Sequence, residues 1–249
     1  TYTGIIEDDL GTFSIKGILD YNIVELSAMG YYFNEITGSL SNSNLNLQAI
    51  SDLNDNSSIN VNLMTHLEKK RVEHLMDTGI TLKEAKKKVQ GEIIKIFNID
   101  NVTLGSSESL DISKDGTGNA VLLAISIILQ SDNTEAQLTE LLSKFNNDIR
   151  TDGTLDSTTL NQTLVDETDY LKPRVASIRS NIENRYSNLG ISAVIPAFED
   201  YAFKLDIINP TVLSTSPVDN ATSISLNSSV SVTLSDVVDN NTVNTNTAN

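Results

Sequence analysis

The chain has 249 residues and contains neither cysteine nor tryptophan. Without cysteine there is no thiolate nucleophile, no disulfide staple and no cysteine-ligated zinc. Histidine is almost as scarce, with His66 and His74 the only two. Any Ser/His/Asp centre or histidine metal site must therefore use one of them. Aromatic residues make up only 5% of the chain, which leaves little material for a sugar-stacking platform. Basic residues are outnumbered 33 to 17 by acidic ones, giving a net charge of −16. Such a surface repels a phosphate backbone, so nucleic acid is not an expected partner. An anionic membrane surface is disfavoured on the same ground. The apolar run Ala120–Leu129, broken only by Ser126, falls well short of the ~20 residues that span a bilayer, so no membrane insertion is expected. No signal-peptide pattern follows Thr1; Tyr2-Thr-Gly-Ile-Ile6 reads instead as the inside of a strand, as expected of a chain lying within a larger protein.

What is present falls into three regions of different period. Residues 1–54 carry short β-like runs, at Ile5-Ile6, Thr12–Ile15, Ile23–Leu26, Tyr31–Ile36 and Leu45–Ala49, punctuated by Gly4, Gly11, Gly17 and Gly30. Residues 55–205 carry helical spacing. Thr81-Leu-Lys-Glu84 and Thr134-Glu-Ala-Gln137 are capping boxes, in which the Thr hydroxyl and the acidic or amide side chain satisfy each other's backbone amides. Leu82, Ala85, Val89, Ile93, Ile96 and Phe97 then form an apolar stripe, with Lys83, Lys86, Lys87 and Lys88 outside it. Gly118–Gln130 is apolar almost all round and predicts a central buried helix. Further helices are expected near 59–77, 157–171, 174–188 and 197–203, with ends at Gly79 and Gly190 and a join at Pro173. Residues 206–249 return to β alternation: Val212/Leu213, Ile224/Leu226 and Val230/Val232/Leu234, bounded by Pro210, Pro217 and Asp219-Asn220. The expected class is α+β, with an N-terminal antiparallel β element packed on an all-α helical bundle, followed by an incomplete Ig-like β-sandwich.

Chemistry-bearing candidates are few. Asp111, Ser113, Asp115, Gly116, Thr117 and Asn119 match the first part of a calcium loop, so calcium is the candidate cofactor. Leu122 stands where the bidentate Glu of an EF-hand belongs. The competing reading is a turn in which Asp115 or Thr117 caps the buried helix. Asp148–Asp156 is a weaker echo, with Arg150 at a ligand position. His66 and His74 lie eight apart rather than four, which does not bring two imidazoles to one ion. Glu7/Asp8/Asp9 and Glu199/Asp200 are sequence-adjacent acids, whereas acid–base catalysis needs carboxylates facing across a cleft. Neither a Gly-x-Ser-x-Gly elbow nor a phosphate-binding loop is present. Tyr31, Tyr32 and Phe33 are the candidate ligand contacts, against the alternative that they pack between sheet and helices.

Two stretches carry a resemblance. Asn209–Asp236, opening Pro-Thr-Val and continuing Leu-Asn-Ser-Ser-Val-Ser-Val-Thr-Leu-Ser, resembles the first strands of bacterial Ig-like modules. Ala28-Met-Gly-Tyr-Tyr-Phe-Asn-Glu-Ile-Thr-Gly-Ser-Leu-Ser, through Asn60-Val-Asn-Leu-Met-Thr-His-Leu-Glu68, is similar to a segment of large secreted proteins and lipoproteins of Bacteroidetes-type bacteria, where it follows a prealbumin-like or carboxypeptidase-regulatory-like β module. The resemblance implies a modular, non-catalytic segment on the bacterial cell surface or outside the cell. Its partners would be other domains of a larger protein, a surface glycan, or another protein that adds a strand to the open Ig-like edge. A polysaccharide-binding module is the alternative function, and a carboxylate hydrolase a third.

Overall fold

The structure, a computed structural model, describes residues 1–56, 58–205, 212–225 and 227–234. The chain divides into two compact units, residues 1–206 and residues 207–249. The β element and the helices expected as successive regions thus share the first unit.

In that unit a long hairpin comes first. Strand β1 (Ile23–Gly30) pairs antiparallel with β4 (Leu45–Asp52), from Ile23 opposite Asp52 to Gly30 opposite Leu45. Its tip is pinched by a second short pair, β2 (Phe33–Asn34) with β3 (Ser39–Leu40). The expected strand over Tyr31–Ile36 is therefore only two residues long. Asn34 ends it by accepting the Ile36 and Thr37 amides in a turn that Gly38 completes at φ +70°. The expected strands at Ile5-Ile6 and Thr12–Ile15 are reduced to a single bridge between Ile6 and Phe13. Asp8 closes the intervening turn by accepting the Leu10 and Thr12 amides.

The helices follow closely. They are α1 (Leu63–Asp77), α2 (Leu82–Ile96), α3 (Thr117–Gln130), α4 (Glu135–Asp148), α5 (Thr158–Leu171), α6 (Val175–Asn188) and the single turn α7 (Glu199–Ala202). Both expected capping boxes form, at Thr81/Glu84 and Thr134/Gln137. A third, Asn62/Thr65, starts α1 four residues later than the apolar spacing alone suggests. Gly79 and Gly190 end α1 and α6 in left-handed conformations, with Ile80 N–H donating to Leu75 O and Ile191 N–H to Tyr186 O. Pro173 sits in a 3₁₀ turn between α5 and α6.

Helix α3 is the axis of the unit, buried at every position from Ala120 to Gln130. Around it the side chains of α1, α2, α4, α5 and α6 close one continuous core. Leu45 and Ile50 of β4 belong to the same core, which is why the β element is not a separate body. Ala49, Ile50 and Ser51 are buried in succession. Neighbouring strand residues point to opposite faces, so β4 is covered on both.

In the second unit, β5 (Val212–Ser216) pairs antiparallel with β6 (Ser231–Leu234) across a bulge between Val212 and Ser214. These are the first and third of the expected runs. Ile224 lies outside a strand, and Leu226 lies outside the described residues. The described residues of this unit thus hold one strand pair, which does not establish a sandwich. The expectation that the chain beyond about Leu205 is either poorly ordered or paired with another chain falls in part on residues 206–211, 226 and 235–249, outside the described set.

Candidate functional site

The aromatic triplet is split by the pleat and by the hairpin tip. Tyr31 stands 65% exposed, whereas Tyr32 and Phe33 are half-buried. The tip is held from three sides. Ser41 N–H donates to Tyr32 O (2.8 Å), while Tyr32 N–H donates to Ser41 Oγ (3.1 Å). The Asn181 amide of α6 donates to Glu35 O (2.9 Å) and Ile36 O (3.2 Å). Asn42 N–H donates to Glu135 Oε1 of α4 (2.6 Å). Together these bonds fix Tyr32 and Phe33 as walls.

What they wall is a cavity of about 990 Å³ between the Ile6–Gly11 segment, the hairpin tip and the end of α6. Tyr31, Tyr32 and Phe33 line it, with Arg185 and Tyr186 opposite. A second cavity, of about 480 Å³, shares Tyr32, Phe33, Glu35 and Tyr186 and reaches Gln130 on α3. The Arg185 guanidinium lies 5.4 Å from the Phe33 ring centroid and donates to Asp9 O (3.2 Å). Glu7, Asp8 and Asp9 stand on the wall formed by the N-terminal segment.

Glu35 is the unusual group of this site. It is only 7% exposed, and burial pushes its carboxyl up to about 7. The Gln130 side chain approaches and favours the ionised form, but burial outweighs it. Even so, Glu35 Oε2 and Gln130 Oε1 are both buried without a hydrogen-bond partner. Tyr186 is likewise held neutral, its phenol pushed up to about 12 by burial and then by the charges of Asp111 and Glu35. Glu35 and Tyr186 thus line the smaller cavity as groups pushed towards their neutral forms, beside the Asp111 carboxylate. Sequence reading missed Glu35, Gln130, Arg185 and Tyr186. The available signal was a lone acid among Phe33, Asn34 and Ile36, and a lone amide ending the apolar run of α3.

The calcium candidate is brought together but committed elsewhere. Asp111 Oδ1 accepts the Ser113 N–H (2.9 Å) and hydroxyl (2.6 Å), and Asp111 Oδ2 pairs with Lys114 Nζ (3.0 Å). Asp115 Oδ1 accepts from its neighbour Gly116 N–H (2.7 Å). Asn119 Oδ1 accepts the Asp111 N–H (2.8 Å), and its amide donates to the Lys114 and Asp115 carbonyls. Thr117 is exposed. The expected alternative also differs in detail, because Gly116, at φ +125°, occupies the N-cap of α3 and no side chain caps it. Asn119, one turn into the helix, closes the loop instead. Among the described residues no group of three or more His, Asp and Glu is placed to hold a metal ion.

The weaker echo, Asp148–Asp156, closes around a guanidinium. Arg71 of α1 donates to Thr151 O (2.5 Å) and Arg150 O (3.3 Å) and forms a two-pronged pair with Glu92 of α2, both prongs at 3.0 Å. Gly153, at φ +82°, lies so close to Glu92 that an added Cβ would meet the carboxyl at 2.1–2.4 Å. The remaining acids serve similar ties. Lys86 of α2 lies 2.5 Å from Glu68 of α1, an ion pair off hydrogen-bond alignment, and donates to Glu108 (2.6 Å) and to Ile50 O of β4 (2.9 Å). Burial raises Glu68 to about 7, whereas Lys86 and the nearby Ser106 and Ser51 overcome burial and hold Glu108 low. His66 is kept neutral, pushed down to about 4 by burial and then by Lys70 and Lys69. Its Nδ1 accepts the Gln48 N–H of β4 (3.2 Å). Glu199 forms a two-pronged pair with Arg179.

Residues 206–249 match the bacterial Ig-like domain family. No curated protein and no solved structure matches the chain. Among the described residues no helix is long and apolar enough to cross a membrane.

Proposed function

We propose that this chain is a non-catalytic structural and adhesive module of an exported bacterial cell-surface protein. The observation that carries the reading is the match of residues 206–249 to the bacterial Ig-like domain family, a building block of modular bacterial proteins. The first unit supports it through the use it makes of its ionisable groups. Lys86 with Glu68 and Glu108, Arg71 with Glu92, and Arg179 with Glu199 each join separate elements. These acids are spent on rigidity, not set facing one another across a cleft. The module would position neighbouring domains of a larger protein, and the strand pair β5–β6, which has no third strand among the described residues, would offer an edge for strand addition. Membership of a Bacteroidetes-type lipoprotein belongs to the same proposal and rests on the resemblance of residues 28–68. The proposal does not depend on calcium, and Asp111, Asp115 and Asn119 each already accept a protein donor. The test is an in-frame deletion of residues 1–206 in the bacterium that makes the protein. Cells should lose retention on a surface under flow while still displaying the remainder. Unchanged retention at equal display would refute an adhesive or positioning role.

A second reading has its own observation. Tyr31, Tyr32 and Phe33 line a cavity, with Tyr32 also packed against the core, and an aromatic-lined cavity suits a glycan-binding module. A glycan array probed with the intact chain tests it: reproducible capture of any glycan supports binding, and a blank array overturns it.

A further inference from the structure

Small-molecule sites are concave, largely apolar and carry a few convergent polar groups, over roughly 300–1,000 Å³. The paired cavities at the hairpin tip have that form, at about 990 and 480 Å³. Glu35 lines both cavities and Gln130 the smaller one, and Glu35 Oε2 and Gln130 Oε1 are buried with no hydrogen-bond partner in the protein. A buried polar atom without a partner costs roughly 1–3 kcal/mol. A purely apolar occupant would leave that cost in place, so a ligand suited to the site donates hydrogen bonds.

The charges around the site narrow the ligand further. Glu7, Asp8 and Asp9 stand on one wall, and the chain carries a net charge of −16. Arg185, the basic residue of the outer cavity, is already engaged with the Phe33 ring and the Asp9 carbonyl. Anionic ligands are thus opposed. The aromatic walls accept the apolar face of a ring, and the arrangement favours an end over a chain. Only Tyr31 is largely exposed, while Tyr32 and Phe33 lead inward to Glu35 and Gln130.

We infer that the hairpin-tip cavity captures a single terminal sugar residue, uncharged and rich in hydroxyls, with its ring against Tyr32 and Phe33 and its hydroxyls donating to Glu35 and Gln130. This deepens the glycan reading of the same site and rests on it. The hairpin tip would then hold one end of a surface glycan, a mode of adhesion needing no extended groove.

The experiment is titration of the isotope-labelled intact chain with methyl glucoside, methyl galactoside, methyl mannoside, glucosamine, glucuronate and a neutral tetrasaccharide, read by amide chemical shifts. At least one neutral methyl glycoside should give saturable shifts at the Gln130 side-chain amide and across residues 30–35, and glucuronate none. Glu35→Met fills similar space without polar atoms and should weaken that binding about tenfold, the loss of one good hydrogen bond. If Glu35→Met does not fold, the shift map of the unaltered chain decides alone. Binding of the tetrasaccharide with silent monosaccharides would overturn terminal capture and leave the glycan reading standing. Binding of glucosamine alone would overturn the uncharged class. Silence towards every sugar would remove both readings.

Discussion

Replacing Glu35 by glutamine should make the protein more stable and remove part of its sensitivity to alkali. Burial raises the Glu35 carboxyl from 4.5 to about 7, and no neighbouring carboxylate contributes to the shift. The proton thus belongs to Glu35 itself, unlike that of Glu68, which is coupled to Glu108 through Lys86. Between those two values the unfolded chain has lost the proton and the folded chain keeps it. Stability therefore falls as pH rises through this window. The favourable contribution is full below 4.5 and gone above about 7. A rise of this size corresponds to about 3 kcal/mol, a sizeable part of the ~5–15 kcal/mol that holds a domain folded. Glutamine has no charge to develop, and its amide can donate to Gln130 Oε1. Urea unfolding at about pH 5 and about pH 8, followed by helical circular dichroism, measures the difference. Every described helix lies within residues 1–206, so the signal reports the described helices of that unit. The variant should lose about 3 kcal/mol less than the parent chain between the two pH values. Parallel losses in the two proteins would refute the burial argument.

Three further outcomes follow from the same contacts. Lys86→Met strands Glu68 and Glu108, both with fully buried side chains, and should cost roughly 3–5 kcal/mol in urea unfolding; a loss below the error of the measurement would mean that the triad is not formed. Gly153→Ala must place a Cβ against the Glu92 carboxyl at φ +82°, so a loss of at least roughly 1–3 kcal/mol is expected, with the Arg71 clamp on residues 150–151 disturbed; wild-type stability would contradict that packing. Calcium added at millimolar concentration, against EGTA and magnesium controls, should leave the melting temperature unchanged, and Asp111→Asn should lower it equally with and without calcium; a calcium-specific rise would show that the ion displaces the Ser113 and Lys114 contacts.

The helices were legible because their signals are local. Thr81/Glu84 and Thr134/Gln137 each satisfy their own first turn, Gly79 and Gly190 each end one, and the apolar run of α3, broken only by Ser126, has no stable place except a core. The N-terminal β element was legible only in part. Ile5, Ile18 and Tyr21 carry strand-forming side chains, yet they stand 78%, 87% and 80% exposed, and among the described residues no neighbouring strand organises them beyond the Ile6–Phe13 bridge. β propensity records fit to a neighbour more than a preference of the backbone. The Asp111–Asn119 loop shows a different limit. Oxygens at calcium-loop spacing are also oxygens at turn spacing, and Ser113, Lys114 and the Asn119 amide satisfy them from within. The Glu35 cavity could not be read from order along the chain, since Glu35, Gln130 and Tyr186 meet only when the hairpin tip docks between α3 and α6.

The most direct measurement is antibody labelling of intact cells of the bacterium that makes this chain, with antibodies against residues 1–206 and permeabilised cells as the control. A cell-surface module should be labelled equally before and after permeabilisation, and brief protease treatment of intact cells should remove the signal. Labelling that appears only after permeabilisation would place the chain inside the cell and contradict the account at its base.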